Sequence, residues 1–356
     1  MSASTAPKAR RSEARPPLRV TVRSGPVALR IDPRVMILTL VGVALILFLA
    51  LWAVSLGSYR MPFSDALAAV RGIGTEDQVF VVRTLRLPRI VCAILIGAGL
   101  AVAGALFQGV VRNPLVSPDI IGIDAGASLL AVFWIVTGQP AALLPIAAFI
   151  GAVTTAAAIY MLTWKSGVDT DRLILVGIGV GAAIGAGITF LTVKFPVEIV
   201  RPAEFWLMGS LTGSNWRDVV VLAATVAVLV PGAAILARLL RTMQLGDDVT
   251  RGLGVPLEQL RLSLIVVGCG LAAVAVSVAG PIAFVALMVP HVARMLTGPV
   301  SSSGMLFTAT IGAIFLLGAD MIAQHALPVS LPVGAITAAV GAPYFLFLLY
   351  RNQTRV

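Results

Sequence analysis

Charge is what this sequence most lacks. Only 12% of its 356 residues are Asp, Glu, Lys or Arg, against about 25% in a soluble domain. So few charges cannot coat a globule of this length, which excludes an ordinary water-soluble fold. Histidine is limited to His291 and His325, too few for a histidine-rich metal site. Cys92 and Cys269 are the only cysteines, and both lie inside apolar runs. They read as small buried residues, not as a disulfide or metal framework. No Gly-x-x-x-x-Gly-Lys-Ser/Thr run occurs anywhere. The chain therefore lacks that phosphate-cradling loop and is not expected to hydrolyse ATP itself.

Hydrophobicity is what the chain has in excess. Apolar residues make up 58% of it, gathered in runs long enough to cross a bilayer, which needs about 20 residues. The expected class is an all-α polytopic membrane protein. A net charge of +10 would otherwise suggest nucleic acid. Much of it lies in the first thirty-odd residues and near the ends of the apolar runs. That distribution fits anionic lipid and the excess of Lys and Arg on cytoplasmic loops.

Residues 1–32 are rich in Arg, Pro and Ser and read as a disordered basic tail. Residues 33–356 form the membrane domain, with ten expected spans. The first runs from Arg34 to about Gly57. A polar connection, Ser58 to Arg86, follows, with a short helix near Phe63–Val70. The next four spans are Arg89–Val111, Asp119–Thr137, Ala141–Trp164 and Arg172–Val193. A mixed stretch, Lys194–Arg217, should hold an interfacial helix. The last five are Arg217–Leu240, Leu257–Ala279, a shorter Gly280–Thr297, Gly304–Gln324 and Leu331–Tyr350. An even number of spans puts both termini on one side. The Lys and Arg count makes that side cytoplasmic. Arg83, Arg86 and Arg89 then fall outside, where positive charge is normally disfavoured.

Between two long apolar runs lies Leu245-Gly-Asp-Asp-Val-Thr-Arg-Gly-Leu-Gly-Val-Pro256. Asp247 can cap a helix N-terminus, with Asp248 adding favourable charge there. Gly254 and Pro256 stop the helix. The stretch reads as a two-turn cytoplasmic helix, either a solvated loop element or a handle for a soluble partner. Asn113-Pro-Leu-Val-Ser-Pro-Asp119 joins the second and third spans. Its prolines enforce irregular backbone, which membrane proteins tolerate where it is buried or lines a cavity. It reads as a turn capped by Asp119, and as a candidate lining for a permeation path. Asp320 lies near the outer end of the ninth span, a position that suits either a structural hydrogen bond or a substrate contact. Glycines at Gly97, Gly99, Gly104 and through Gly177–Gly187 read as close helix-packing positions.

Several motifs together resemble the FecCD-type permeases. They are Arg86-Leu-Pro-Arg89, Gly104-Ala-Leu-Phe-Gln-x3-Arg-Asn-Pro-Leu115 and Ser117-Pro-Asp-Ile-Ile-Gly122. Leu245–Pro256, Gly280-Pro-Ile-Ala-Phe…Pro-His-x-x-Arg294 and Leu331-Pro-Val-Gly…Gly-Ala-Pro343 follow in the same order. Within the family, Trp164–Ile174, Met208–Gly213 and Gly246–Asp248 are most similar to ferric-enterobactin permeases. The resemblance implies a type II ABC importer permease that moves ferric siderophores, with vitamin B12 or haem as alternative cargo. It implies that Gly246, Asp247, Asp248, Thr250, Arg251, Gly252, Leu253 and Gly254 form a coupling helix for a partner ATPase. Arg86 and Arg89 would dock an extracytoplasmic binding protein. Asn113, Pro114, Leu115, Ser117 and Asp119 would lie along the path. Expected partners are two ATP-binding subunits, a second and different permease, the siderophore-binding protein and membrane lipid, with no nucleic acid. No catalytic or metal residue is expected, and ATP with Mg belongs to the ATPase. Gln324 and Ser330 stand where many members carry Arg and Glu, which puts an expected docking contact in doubt.

Overall fold

The computed structural model describes residues 20–24, 27–119, 122–164, 170–298, 301–326 and 328–353. Its first elements correct the expectation of a structureless tail up to Asp32. Strands β1 (Val20–Ser24) and β2 (Val27–Ile31) pair antiparallel, Val20 opposite Ile31. The sequence reason is alternation: Val20 and Val22, then Val27, Leu29 and Ile31, recur at the strand period of two. The rest of the expected tail, residues 1–19, lies outside the described residues.

Helix α1 (Pro33–Ser55) begins on a cap, Asp32 Oδ1 accepting from the Arg34 N–H at 3.0 Å. Helix α2 (Phe63–Val70) lies where the sequence places it. Helices α3 (Glu76–Phe80) and α4 (Leu87–Val111) are joined by a π-helical stretch, Val81–Arg86. Glu76–Val111 is therefore one continuous helix of 36 residues, and the second span starts well before Arg89. Its start is a capping box, with Thr75 and Gln78 each satisfying the other's backbone N–H.

Then come α5 (Ile123–Val136), α6 (Leu144–Thr163), α7 (Thr170–Lys194), α8 (Val197–Leu207) and α9 (Trp216–Met243). The chain closes with α10 (Asp247–Gly252), α11 (Leu257–Ala279), α12 (Val285–Thr297), α13 (Ser302–His325) and α14 (Val333–Gln353). Among the described residues, eight helices are long and apolar enough to span a bilayer. Helices α5 and α12, the expected third and eighth spans, have only 14 and 13 residues. Each follows non-helical chain, residues 112–119 with Gly122 before α5 and residues 280–284 before α12, so irregular backbone makes up missing length.

Helix α4 is the axis of the bundle. It packs against α1, α9, α11, α12 and α13, and 83% of its apolar window is buried. Glycine makes this possible. A methyl group at Gly104 would lie 1.8 Å from Ala286 O, and one at Gly97 would lie 2.3 Å from Gly312 O. Backbone therefore touches backbone there, as small residues permit. The glycines of α7 behave differently. Among the described residues, no atom comes within 4 Å of a methyl built on Gly179, Gly181 or Gly185. Within that run, close packing is found at Gly187, where a methyl would lie 3.3 Å from Leu129, and not at these three positions.

The irregular link Gly280–Phe284 is enclosed at close range. A methyl at Gly209 would lie 2.2 Å from Pro281 O, and one at Gly280 would lie 2.4 Å from Trp206 O. One at Gly334 would meet Met208 O at 2.0 Å, and one at Gly341 would meet the Phe284 side chain at 2.2 Å. Phe284 itself takes a left-handed φ of 66° and starts α12.

Candidate functional site

The ends of the bundle are named here by the expected sides, inner for α10 and outer for Arg89. At the inner end, α10 forms where the sequence puts it, but its cap is different. Gly246 is the N-cap and makes no side-chain cap bond. Asp247 is the first helical residue, and its carboxylate turns to the bundle instead. It accepts from Arg112 at the end of α4 and from Arg261 Nη2 of α11 at 2.7 Å. The burial of Asp247 opposes its ionisation. The hydrogen bonds and charges of Arg261 and Arg112 outweigh that burial and hold its carboxyl below the ordinary value.

Thr250 is fully buried, and its hydroxyl donates to Thr242 O at 2.9 Å and to Gly246 O at 2.7 Å. The helix ends in a Schellman motif. Val255 N–H reaches Thr250 O, Gly254 N–H reaches Arg251 O, and Gly254 supplies the left-handed φ of 75°. Asp247 and Thr250 thus face the bundle, and the outward residues are different ones. Leu245, Val249 and Leu253 are 64%, 48% and 60% exposed. Asp248, Arg251 and Gly252 are exposed beside them, with Arg251 4.0 Å from Asp248 and from Glu258. Val249 and Leu253, four residues apart, share a face. The short helix is tied down on one side and shows apolar groups to water on the other.

Arg112 was not singled out as a site residue by sequence. It terminates α4 with φ 56°, a left-handed conformation that costs a non-glycine residue about 1–2 kcal/mol. A charged residue in a position that favours glycine was the available signal. One turn earlier Gln108, itself buried, donates from Nε2 to Leu287 O at 2.9 Å. It accepts from Arg294 Nη2 at 2.6 Å. The same end of α4 therefore holds α10 and α12. A cleft of about 270 Å³ lies beside it, lined by Gln108, Gly109, Arg112, Pro114, Gln244 and Arg294.

The expected path residues separate into two groups. Asn113, Pro114 and Leu115 retain exposure at the inner end, with Asn113 Oδ1 accepting from the Leu115 N–H at 2.9 Å. Ser117 and Pro118 are buried. The N-cap position of α5 is taken by Gly122, at φ 83°, and not by Asp119. Two residues of left-handed turn geometry, Arg112 and Gly122, bracket this loop and take over the capping role.

At the outer end, both expected docking arginines are engaged inside the protomer. Arg86 Nη1 and Nη2 donate to Val54 O and Tyr59 O, each at 2.7 Å. Arg89 Nη2 and Nε reach Asp320 Oδ1 and Oδ2 at 2.7 and 3.0 Å, a two-point pair. Gln324 Nε2 adds a bond to Asp320 Oδ2 at 2.7 Å. Asp320 is buried, and the pair pins α4 to α13. The structural reading of Asp320 is the one its geometry supports.

Residues 44–351 match the FecCD transport family. The chain belongs to that family. A FecCD relative, the Fe(3+)-citrate import system permease protein of Bacillus subtilis (strain 168), is 42% identical over 308 residues. That alignment spans 85% of this chain and 92% of the relative. The ferric enterobactin transport system permease protein of Escherichia coli (strain K12) is 37% identical, over 91% and 99% of the two chains. Among solved structures, a metal-chelate type ABC transporter in an inward-facing conformation superposes with TM-score 0.80 at 28% identity. It covers 89% of this chain and 99% of that one. As a FecCD chain with eight long apolar helices among its described residues, this protein is a membrane transport subunit, not an enzyme.

Proposed function

We propose that this chain is the permease subunit of an ATP-binding-cassette importer for ferric siderophores and related ferric chelates. Both termini face the cytoplasm. The observation that carries the reading is α10, held to the bundle through Asp247 and Thr250 while Leu245, Val249 and Leu253 stand in water. A soluble ATPase subunit seats on that apolar face, and its hydrolysis drives the permease between inward-open and outward-open states. ATP and Mg reside in the ATPase. The face of α7 that carries Gly181 and Gly185 meets a second permease chain, and the cargo passes between the two. Asn113, Pro114 and Leu115 lie near the inner mouth of that path.

The outer rim carrying Arg86 and Arg89 receives an extracytoplasmic binding protein. Because both guanidiniums already hold internal partners, they contribute mainly by shaping that rim. Vitamin B12 or haem is the second reading of the cargo, since a path lined by small apolar groups encodes little ligand chemistry. An ion-coupled transporter is disfavoured, because Asp320 is committed to Arg89 and Gln324.

The test is to place charge on the exposed face of α10. Val249→Asp with Leu253→Asp should abolish co-purification of the ATPase and iron uptake together, while the permease still inserts and extracts as a folded protein. Normal ATPase capture by this double variant would remove α10 from the coupling role.

A further inference from the structure

We propose that Arg112 and Asp247 are the positioning pair through which movement of α10 reaches the transport helices, an ion-pair tether between the coupling helix and the end of the axis. This rests on the reading of α10 as the ATPase handle and extends it inward. Three observations carry it.

Arg112 sits just past the last residue of α4, as its C-cap, in a left-handed conformation where glycine is the unstrained choice. Its guanidinium reaches Asp247, the first residue of α10. Backbone geometry alone gives no reason for an arginine there, whereas the contact to α10 does.

The tether also ends on a helix that can transmit. Helix α4 is buried along its length and packs on α1, α9, α11, α12 and α13. One turn from Arg112, Gln108 grips α12 through Leu287 O and Arg294. Arg261 holds the other oxygen of Asp247 to α11. Displacement of a single carboxylate is thereby delivered to α4 and α11 directly, and to α12 through Gln108.

Finally, the cleft beside Gln108, Arg112, Pro114 and Arg294 leaves this end of α4 unpacked on one side, although Gly109 is pressed against Leu240 of α9 on another. A surround close-packed on every side would resist its motion.

The experiment uses the assembled importer, permeases and ATPase together, in cells and in proteoliposomes. Radioiron-labelled ferric citrate and ferric enterobactin serve as the two transport probes. Arg112→Gly is the informative variant. Glycine suits the left-handed position at least as well as arginine, so folding and ATPase co-purification are expected to stay at wild-type level. Uptake per ATP hydrolysed is expected to fall by roughly tenfold, the scale of a lost coupling between contacting residues. Arg112→Lys, which keeps the charge, should restore most of the uptake. Asp247→Asn should reproduce the defect of Arg112→Gly and serves as the second route should that variant express poorly.

Wild-type uptake by Arg112→Gly would overturn the tether and leave Arg112 a mere helix stop. Loss of ATPase co-purification from that variant would overturn it too, because the pair would then only shape the docking surface. Failure of α10 as the handle is scored separately, by ATPase capture with Val249→Asp and Leu253→Asp.

Discussion

Helices α4 and α7 are the same length, 25 residues each, and both are apolar and glycine-rich. Their surroundings are opposite. The apolar window of α4 is 83% buried, and that of α7 is 11% buried. In α4, glycines let other backbones come into contact, at Gly97 and Gly104. In α7, Gly179, Gly181 and Gly185 face open space within the protomer. Glycine spacing in a membrane helix announces a close contact but does not say with which chain. In the proposed assembly, α4 finds its contacts within its own chain and α7 finds them in a second permease.

The comparison can be broken most severely at α4. Gly104→Leu drives a side chain into Ala286 O, a backbone atom that cannot rotate away. Overpacking costs about 1–3 kcal/mol even where side chains can yield, and at 1.8 Å from backbone nothing here can yield, so the cost exceeds what the fold withstands. Here the expected outcome is loss of the folded peak in size-exclusion chromatography of detergent extracts. Gly181→Leu should leave that peak intact and instead abolish co-purification of the second permease. Equal damage from the two substitutions would erase the distinction between the helices.

A smaller effect is expected at the outer end of α4. Arg89→Ala or Asp320→Asn leaves the other member of a buried pair without its counter-charge or partner, worth about 3–5 kcal/mol of stability. Arg89→Met combined with Asp320→Leu should recover most of that loss in a thermal melt. If the double variant is no more stable than the singles, the pair has a role beyond holding α4 to α13.

The smallest effect concerns pH at the inner end. The Asp247 carboxyl is held below its ordinary value, so the folded state gains stability above about pH 3.9. That contribution is lost as the pH falls through the lowered folded value. The acid limb of a stability profile should therefore move toward neutrality in Arg112→Gly, by a fraction of a pH unit. An unchanged acid limb would mean that Arg261 alone sustains the carboxylate.

Much of the fold was legible because membrane helices depend on length and composition. Span boundaries fell within a few residues for α1, α6, α9, α11 and α13. Helix α10 was legible through Gly254 and Pro256, whose effects are local. The shortness of α5 and α12 was not, since an apolar run looks alike as helix or as buried irregular chain. Nor were the ion pairs. Arg89 and Asp320 lie 231 positions apart, and Arg112 and Asp247 lie 135 apart. Periodicity carries no information at those separations. Asp247 shows the cost of local reasoning alone: a capping carboxylate and an inter-helix tether look the same in sequence.

The enclosure of Gly280–Phe284 also has a genetic meaning. Gly209, Gly280, Gly334 and Gly341 are scattered over the second half of the chain, yet each meets or belongs to one small knot of backbone around this link. They also fall inside the motifs Met208–Gly213, Gly280–Arg294 and Leu331–Pro343. In a random mutagenesis screen, alanine changes at these four positions should behave as alleles of a single defect. A suppressor of one would lie beside the others in space, not beside it in sequence.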